Sequence, residues 1–142
     1  MKDKSISVLC RGFIDGGMEI VTNFPGFYSH DIFSKLGGKD ISINERVAFE
    51  IAYGASLAGK RSLVTMKNVG LNATADPFIH SLIAGVKGGL VLVITDDMEV
   101  VASQERQDSR HYYDFFGGLW FEPNSLRSAY KIARNSFFLS EK

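Results

Sequence analysis

Glu45 is the residue whose position most needs a chemical explanation. It follows Asn44 in the run Ile41-Ser42-Ile43-Asn44-Glu45-Arg46-Val47-Ala48-Phe49, where a short alternating segment gives way to an apolar, alanine-bearing one. Asn44 suits a helix N-cap, because its side-chain oxygen can accept from the first free backbone N–H groups. Glu45 then stands where a strand turns into a helix, which in an open parallel sheet is where ligands bind. Taken alone, it is a helix-start acid held by the helix dipole.

Other candidates carry less. Gly54-Ala55-Ser56-Leu57-Ala58-Gly59-Lys60-Arg61 imitates a phosphate-binding loop. Arg61 occupies the place of the Ser/Thr that would hold magnesium, and the segment ends a helix instead of opening one, so no helix N-terminus would face the phosphate. No Gly-x-Gly-x-x-Gly occurs, which argues against a Rossmann dinucleotide site. His30, His80 and His111 fall in different segments without metal-ligand spacing, so no metal is expected on this chain. Cys10 lies in an apolar stretch and reads as a small core residue. No Gly-x-Ser-x-Gly elbow motivates a serine nucleophile. Asp96-Asp97 reads as one turn cap and one solvated acid in preference to a cation site. Gln104, Gln107, Asp108 and Arg110 lie on a polar loop that is either solvated or turned to a ligand or partner.

The frame that must position these residues has 142 residues, 45% of them hydrophobic and 23% charged, enough for one domain spanning 1–142 with a real core. Sixteen basic and sixteen acidic residues cancel, so there is no electrostatic case for nucleic acid or an anionic membrane. A lone cysteine makes no intrachain disulfide and holds no iron–sulfur cluster by itself. No signal peptide and no run near the length of a membrane helix are visible, and a cytoplasmic location is expected.

Ser5 to Gly17 fits a helical face through Ile6, Leu9, Cys10, Phe13 and Ile14, without excluding other forms. Met18–Phe24 predicts a strand, broken by Pro25-Gly26, and a short helix follows from Ser29 or His30 to about Leu36. Ile41–Ile43 predicts a short strand, Glu45–Ala58 a buried helix, Gly59 its C′ residue, and Ser62–Met66 the next strand. Leu71–Val86 predicts a helix. Pro77 fits only a first helical turn, so an irregular Lys67–Asp76 segment should come before the regular part. Leu90–Thr95 is an unbroken apolar strand, covered on both faces as in a parallel sheet. A polar loop over Val100–Arg110, a helix over His111–Phe116, a short strand at Leu119–Phe121 and a helix to about Leu139 complete the chain. The alternation predicts an α/β fold: a three-layer, doubly wound, mainly parallel sheet with helices on both faces.

Several segments together resemble a known family. These are Phe24-Pro25-Gly26, Asn44-Glu45-Arg46-Val47-Ala48, Gly54 to Gly59, the run Val64-Thr65-Met66-Lys67-Asn68-Val69-Gly70-Leu71-Asn72, Ala75-Asp76-Pro77, Gly85 to Leu90, and Ser103-Gln104 with Gln107 to Arg110. In the same order they resemble the pyrimidine-binding domain of the indolepyruvate ferredoxin oxidoreductase alpha subunit, within the thiamine-diphosphate 2-oxoacid:ferredoxin oxidoreductases. The resemblance covers nearly the whole chain.

It implies that Glu45 is the catalytic acid that hydrogen-bonds N1′ of the cofactor's aminopyrimidine, with a pKa raised by apolar neighbours or by a partner subunit. It implies cofactor contacts from Pro25, Gly26, Glu45, Lys67, Asn68, Gly70 and Asn72. Phe27, Tyr28, Gln104, Gln107, Asp108 and Arg110 would face substrate or interface. The family's diphosphate-binding domain, with its Gly-Asp-Gly…Asn magnesium motif, and its cluster cysteines are absent from this sequence. The resemblance therefore implies a partner chain that carries the diphosphate half, the magnesium and any clusters, in an α2β2-type assembly with ferredoxin as a candidate acceptor. Where relatives have threonine after Pro25-Gly26, this chain has Phe27-Tyr28, which points to a larger, apolar or different ligand. Two further readings stay open: the alpha subunit of a non-oxidative, sulfopyruvate-type decarboxylase, and a non-catalytic assembly subunit.

Overall fold

The computed structural model describes residues 2–101 and 105–142. In chain order its elements are α1 (Lys2–Asp15), β1 (Ile20–Asn23), α2 (Ser29–Lys35), α3 (Glu45–Leu57), β2 (Ser62–Lys67), α4 (Gly70–Ala84), β3 (Leu90–Thr95), α5 (Arg110–Phe116) and α6 (Leu126–Ser140). The strands form one parallel sheet in the order β1-β2-β3, with registers that run from Ile20 opposite Ser62 and from Ser62 opposite Leu90. Parallel neighbours need crossovers, and α2 with α3 supplies the first while α4 supplies the second.

Side chains alternate across β2 and β3 and so sort into two cores. Val64 and Met66 join Ala48, Phe49 and Ala52 of α3 and Leu71 and Phe78 of α4, with Leu90, Leu92 and Ile94 packed beside them. Leu63 joins Phe13 of α1 and Ala133 and Phe137 of α6 on the opposite face, with Val91 and Val93 beside them. The layers are helix, sheet, helix, as the apolar run Leu90–Thr95 predicts. Full burial of Phe49 or Phe137 contributes about 1.5–3 kcal/mol each relative to exposure.

Hydroxyls fix α3 against the sheet. Thr22 Oγ1 donates to the Ala48 carbonyl at 2.7 Å, and Ser62 Oγ donates to the Ala52 carbonyl at 2.7 Å. Small residues in α3 let its backbone come that close, and the bonds set where its first residue, Glu45, must lie. The predicted N-cap is present: Asn44 Oδ1 accepts from the Val47 N–H at 2.8 Å.

Three expectations fail. Ile41–Ile43 forms no strand: Ile41 and Ile43 are 55% and 82% exposed, and the Ser42 N–H bonds only the carbonyl of Asn23, the last residue of β1. Leu119–Phe121 is irregular and exposed as well. The alternation of Ile41–Ile43 and the apolar run of Leu119–Phe121 each span three residues, too few to require a ladder partner. The irregular Lys67–Asp76 segment is also absent, because α4 begins at Gly70 and carries Pro77 inside it. The missing N–H loses one helix bond, and burial of the proline ring and of Phe78 offsets it. No helix among the described residues is long and apolar enough to cross a membrane.

Candidate active site at the carboxyl ends of the strands

β1 and β2 both deliver their carboxyl ends to one edge, and buried polar groups lock that edge. Asn23 Nδ2 donates to the Thr65 carbonyl at 2.9 Å and to Thr65 Oγ1 at 2.8 Å. Thr65 Oγ1 in turn donates to the Ser29 carbonyl at 3.1 Å, and Thr95 Oγ1 donates to the Phe27 carbonyl at 2.7 Å. The turn Pro25-Gly26 is thereby drawn onto β2. A Cβ at Gly26 would sit 2.8 Å from Lys67 Cβ, so only glycine allows the approach.

Glu45 opens α3 and lies against the start of α4. A Cβ at Gly70 would fall 2.4 Å from Glu45 Cγ and 2.8 Å from Oε1. Two helix N-termini thus converge on one carboxylate. Glu45 is half-buried, and among the described residues its carboxylate takes no hydrogen bond or ion pair. Next to it, Arg46 spans the two helices, with Nε 2.8 Å from Glu50 and Nη2 2.9 Å from Asp76, and these carboxylates raise its pKa.

Lys67 ends β2 with its side chain only 7% exposed, and its Nζ lies 3.5 Å from Asp97 Oδ2. The ammonium is also 5.6 Å from the centre of the Phe27 ring. Phe27 stacks with Tyr28 at 3.8 Å between centroids, and Tyr28 holds φ 61°, a left-handed conformation uncommon for a bulky residue. Asp97 is therefore no solvated acid: besides facing Lys67 it accepts the Val101 N–H at 3.1 Å. Asp96 takes the predicted capping role, accepting from both the backbone N–H and the hydroxyl of Ser109.

The polar loop divides by function. Gln107 clamps it to the start of α4, donating through Nε2 to the Asn68 carbonyl at 2.8 Å and accepting from Asn72 Nδ2 at 2.8 Å. Tyr112 closes the same network through its hydroxyl and Asn72 Oδ1. Asp108 and Arg110 face each other instead, in a two-bond pair at 2.8 and 2.7 Å. The guanidinium holds the Asp108 carboxyl down to about 2, and the carboxylate raises Arg110. Gln104 lies outside the described residues.

The structure thus gathers Pro25, Gly26, Glu45, Lys67, Asn68, Gly70 and Asn72 at one edge, with Phe27 by Lys67, Tyr28 stacked on Phe27, and Gln107 bracing the far side. A cavity of about 850 Å³ runs along β3, walled by Tyr113, Trp120, Phe121 and Leu139, and none of those seven residues lines it. Sequence reasoning missed two features. One is Asn23 as the lock between strands. The other is the Lys67–Asp97 pairing, whose only trace in the sequence is a lysine that closes an apolar strand run.

Comparison with known proteins finds indolepyruvate oxidoreductase subunit IorA of Archaeoglobus fulgidus 41% identical over 94% of this chain. This chain is homologous to a segment of IorA. The Thermococcus kodakarensis IorA is 34% identical over 94% of the chain, and that of Methanothermobacter thermautotrophicus 34% over 92%. The chain spans less than a quarter of these relatives, 23% of the Archaeoglobus protein and 22% of the other two. No protein-family model matches. Among solved structures, the 2-oxoglutarate:ferredoxin oxidoreductase from Magnetococcus marinus superposes with a TM-score of 0.74 over 97% of this chain and 27% of its own. At 18% identity that likeness shows the shared fold.

Proposed function

We propose that this IorA-like chain is the pyrimidine-binding domain of a thiamine-diphosphate-dependent 2-oxoacid oxidoreductase, working in the cytoplasm with a diphosphate-binding partner chain. The observation that carries this reading is Glu45 at the meeting of two helix N-termini, its carboxylate without a partner among the described residues and its path cleared by Gly70. The residues fit the cofactor's aminopyrimidine, which needs an acid at N1′ and a close backbone beside it.

When bound, thiamine diphosphate supplies a carbon nucleophile and an electron sink for decarboxylation. Glu45 would hold a proton at N1′, and Asn44, by capping α3, would fix where that proton sits. Gly26 and Gly70 would admit the ring; Pro25, Lys67, Asn68 and Asn72 would border it. Phe27 and Tyr28 would meet the substrate. Gln107 would act through Asn68 and Asn72, whereas Asp108 and Arg110, satisfied by one another, would shape the loop or an interface along with Gln104. The apolar cover that a proton-holding Glu45 requires would come from the partner chain, since this chain leaves the residue half-exposed. Magnesium and any iron–sulfur clusters would belong to that partner, in an α2β2-type assembly with ferredoxin as acceptor.

The test is co-purification with a chain carrying the diphosphate half, followed by thiamine-dependent turnover of 2-oxo acids. Glu45→Gln should lower turnover by about 10²–10⁴-fold. Reduction of ferredoxin, against release of an aldehyde, separates the oxidative from the sulfopyruvate-type outcome. Turnover untouched by Glu45→Gln would sink the assignment.

A further inference from the structure

Among the described residues, Lys67 Nζ is the buried side-chain polar atom left without a hydrogen bond. Its counter-charge, Asp97 Oδ2, stands at 3.5 Å, beyond the roughly 2.7–2.9 Å of a charge-assisted bond. Asp97 therefore offsets the charge of the ammonium without using up its donors, of which lysine has three. A buried donor group in this condition needs a reason, and a ligand acceptor is one.

We propose that Lys67 is the anion anchor of this site and that its ammonium takes the carboxylate of a 2-oxo acid; this rests on the function proposed above. Place and chemistry agree. Lys67 is the last residue of the central strand, with its Cβ against the Pro25-Gly26 turn, and it precedes by three residues the glycine on which Glu45 lies. A 2-oxo acid brings acceptor oxygens on both its carboxylate and its keto group, which matches a donor with N–H groups to spare. The Phe27 ring lies beside the ammonium and stacks on Tyr28, and so sets an apolar wall there. Reaching Lys67 requires this turn to lift. Tyr28, held at φ 61° and ψ −26°, stores the backbone strain that such a movement would release.

The test compares two probes that differ only in the charged group: phenylpyruvate, and phenylacetone, in which methyl replaces the carboxylate. Their dissociation constants are measured by calorimetry on the complex with the diphosphate-binding partner, without cofactor. The wild type should prefer phenylpyruvate by about tenfold or more. Lys67→Met should bind both probes alike, and Lys67→Arg should keep the preference. Should Lys67→Met fail to fold with Asp97 unpaired, the double substitution Lys67→Met with Asp97→Asn removes both charges and is read the same way. A lysine with a merely structural role would leave the preference intact in the double variant, where both charges are gone, or weaken both probes equally, and either result overturns the proposal. So would a wild type that binds neither probe or does not distinguish them. Thiamine diphosphate is titrated separately: failure to bind it counts against the proposed function, while the probe ratio still decides the role of Lys67.

Discussion

Glu45 occupies the space that a side chain at position 70 would need: a Cβ on Gly70 would stand 2.4 Å from Glu45 Cγ. The first turns of α3 and α4 are therefore made for each other, and the carboxylate cannot hold its place beside any larger residue. Gly70→Ala should leave a folded chain, destabilised by about 1–3 kcal/mol through overpacking in urea unfolding. On the function proposed above, it should lower thiamine-dependent turnover of the complex with the diphosphate-binding partner by about a hundredfold, as displacements on the order of 1 Å do. Equal turnover in the two proteins would show that the Glu45 position is not critical.

Gln107 braces the polar loop on α4 through its side-chain bonds to Asn68 and Asn72. Gln107→Ala should lower stability by roughly 1–2 kcal/mol, since the buried Asn68 carbonyl loses its donor. Amides over residues 105–109 should exchange about tenfold faster while those of β2 hold their protection, because the opening is local. Hydrogen exchange read by mass spectrometry checks this; uniform acceleration across the sheet would mean that the clamp supports the whole fold.

Asp108 gives a pH dependence with a definite sign. Arg110 holds its carboxyl down to about 2, below the ordinary 3.8. The unfolded chain binds this proton first on acidification, so the contribution is full above about pH 4 and is lost as pH falls through about 2. Urea midpoints of the wild type and Asp108→Asn should differ by a constant amount above pH 4 and converge toward pH 2. A gap that widens on acidification would contradict the pairing.

Cys10 shows the opposite case. Burial pushes its thiol up to about 11, from 9.0. The native state keeps the proton longer than the unfolded chain does, so its contribution is complete below about pH 9 and is lost as pH rises through about 11. At pH 8 a soluble disulfide reagent should modify the native protein at least about tenfold more slowly than the protein in urea, because only the thiolate reacts. Rapid labelling of the folded chain would place Cys10 at the surface.

The amino-acid order alone determines much of this molecule. Unbroken apolarity over Leu90–Thr95 and alanine-rich patterning after Asn44 require a sheet covered on both sides and a helix that opens at Glu45. Their cause is local: periodicity and capping act between residues only a few positions apart. Homology over nearly the whole chain then ties the same stretch to IorA. Short signals carry less. Ile41–Ile43 alternates and Leu119–Phe121 is apolar as strands can be, yet no neighbouring strand among the described residues meets them, and Pro77 sits inside a helix because its ring has a core to enter.

The tertiary structure alone decided the rest. Lys67 and Asp97 are thirty positions apart, and they meet because the β2–β3 register sets Lys67 beside Thr95, two residues before Asp97. Gly70 and Glu45 meet because Thr22 and Ser62 pin α3 to the sheet. Register and helix placement are long-range packing outcomes, selected by how two cores fill on either side of one sheet. A list of residue types contains the acid, the lysine and the glycines of this site, but the distances between them exist only once those cores have formed.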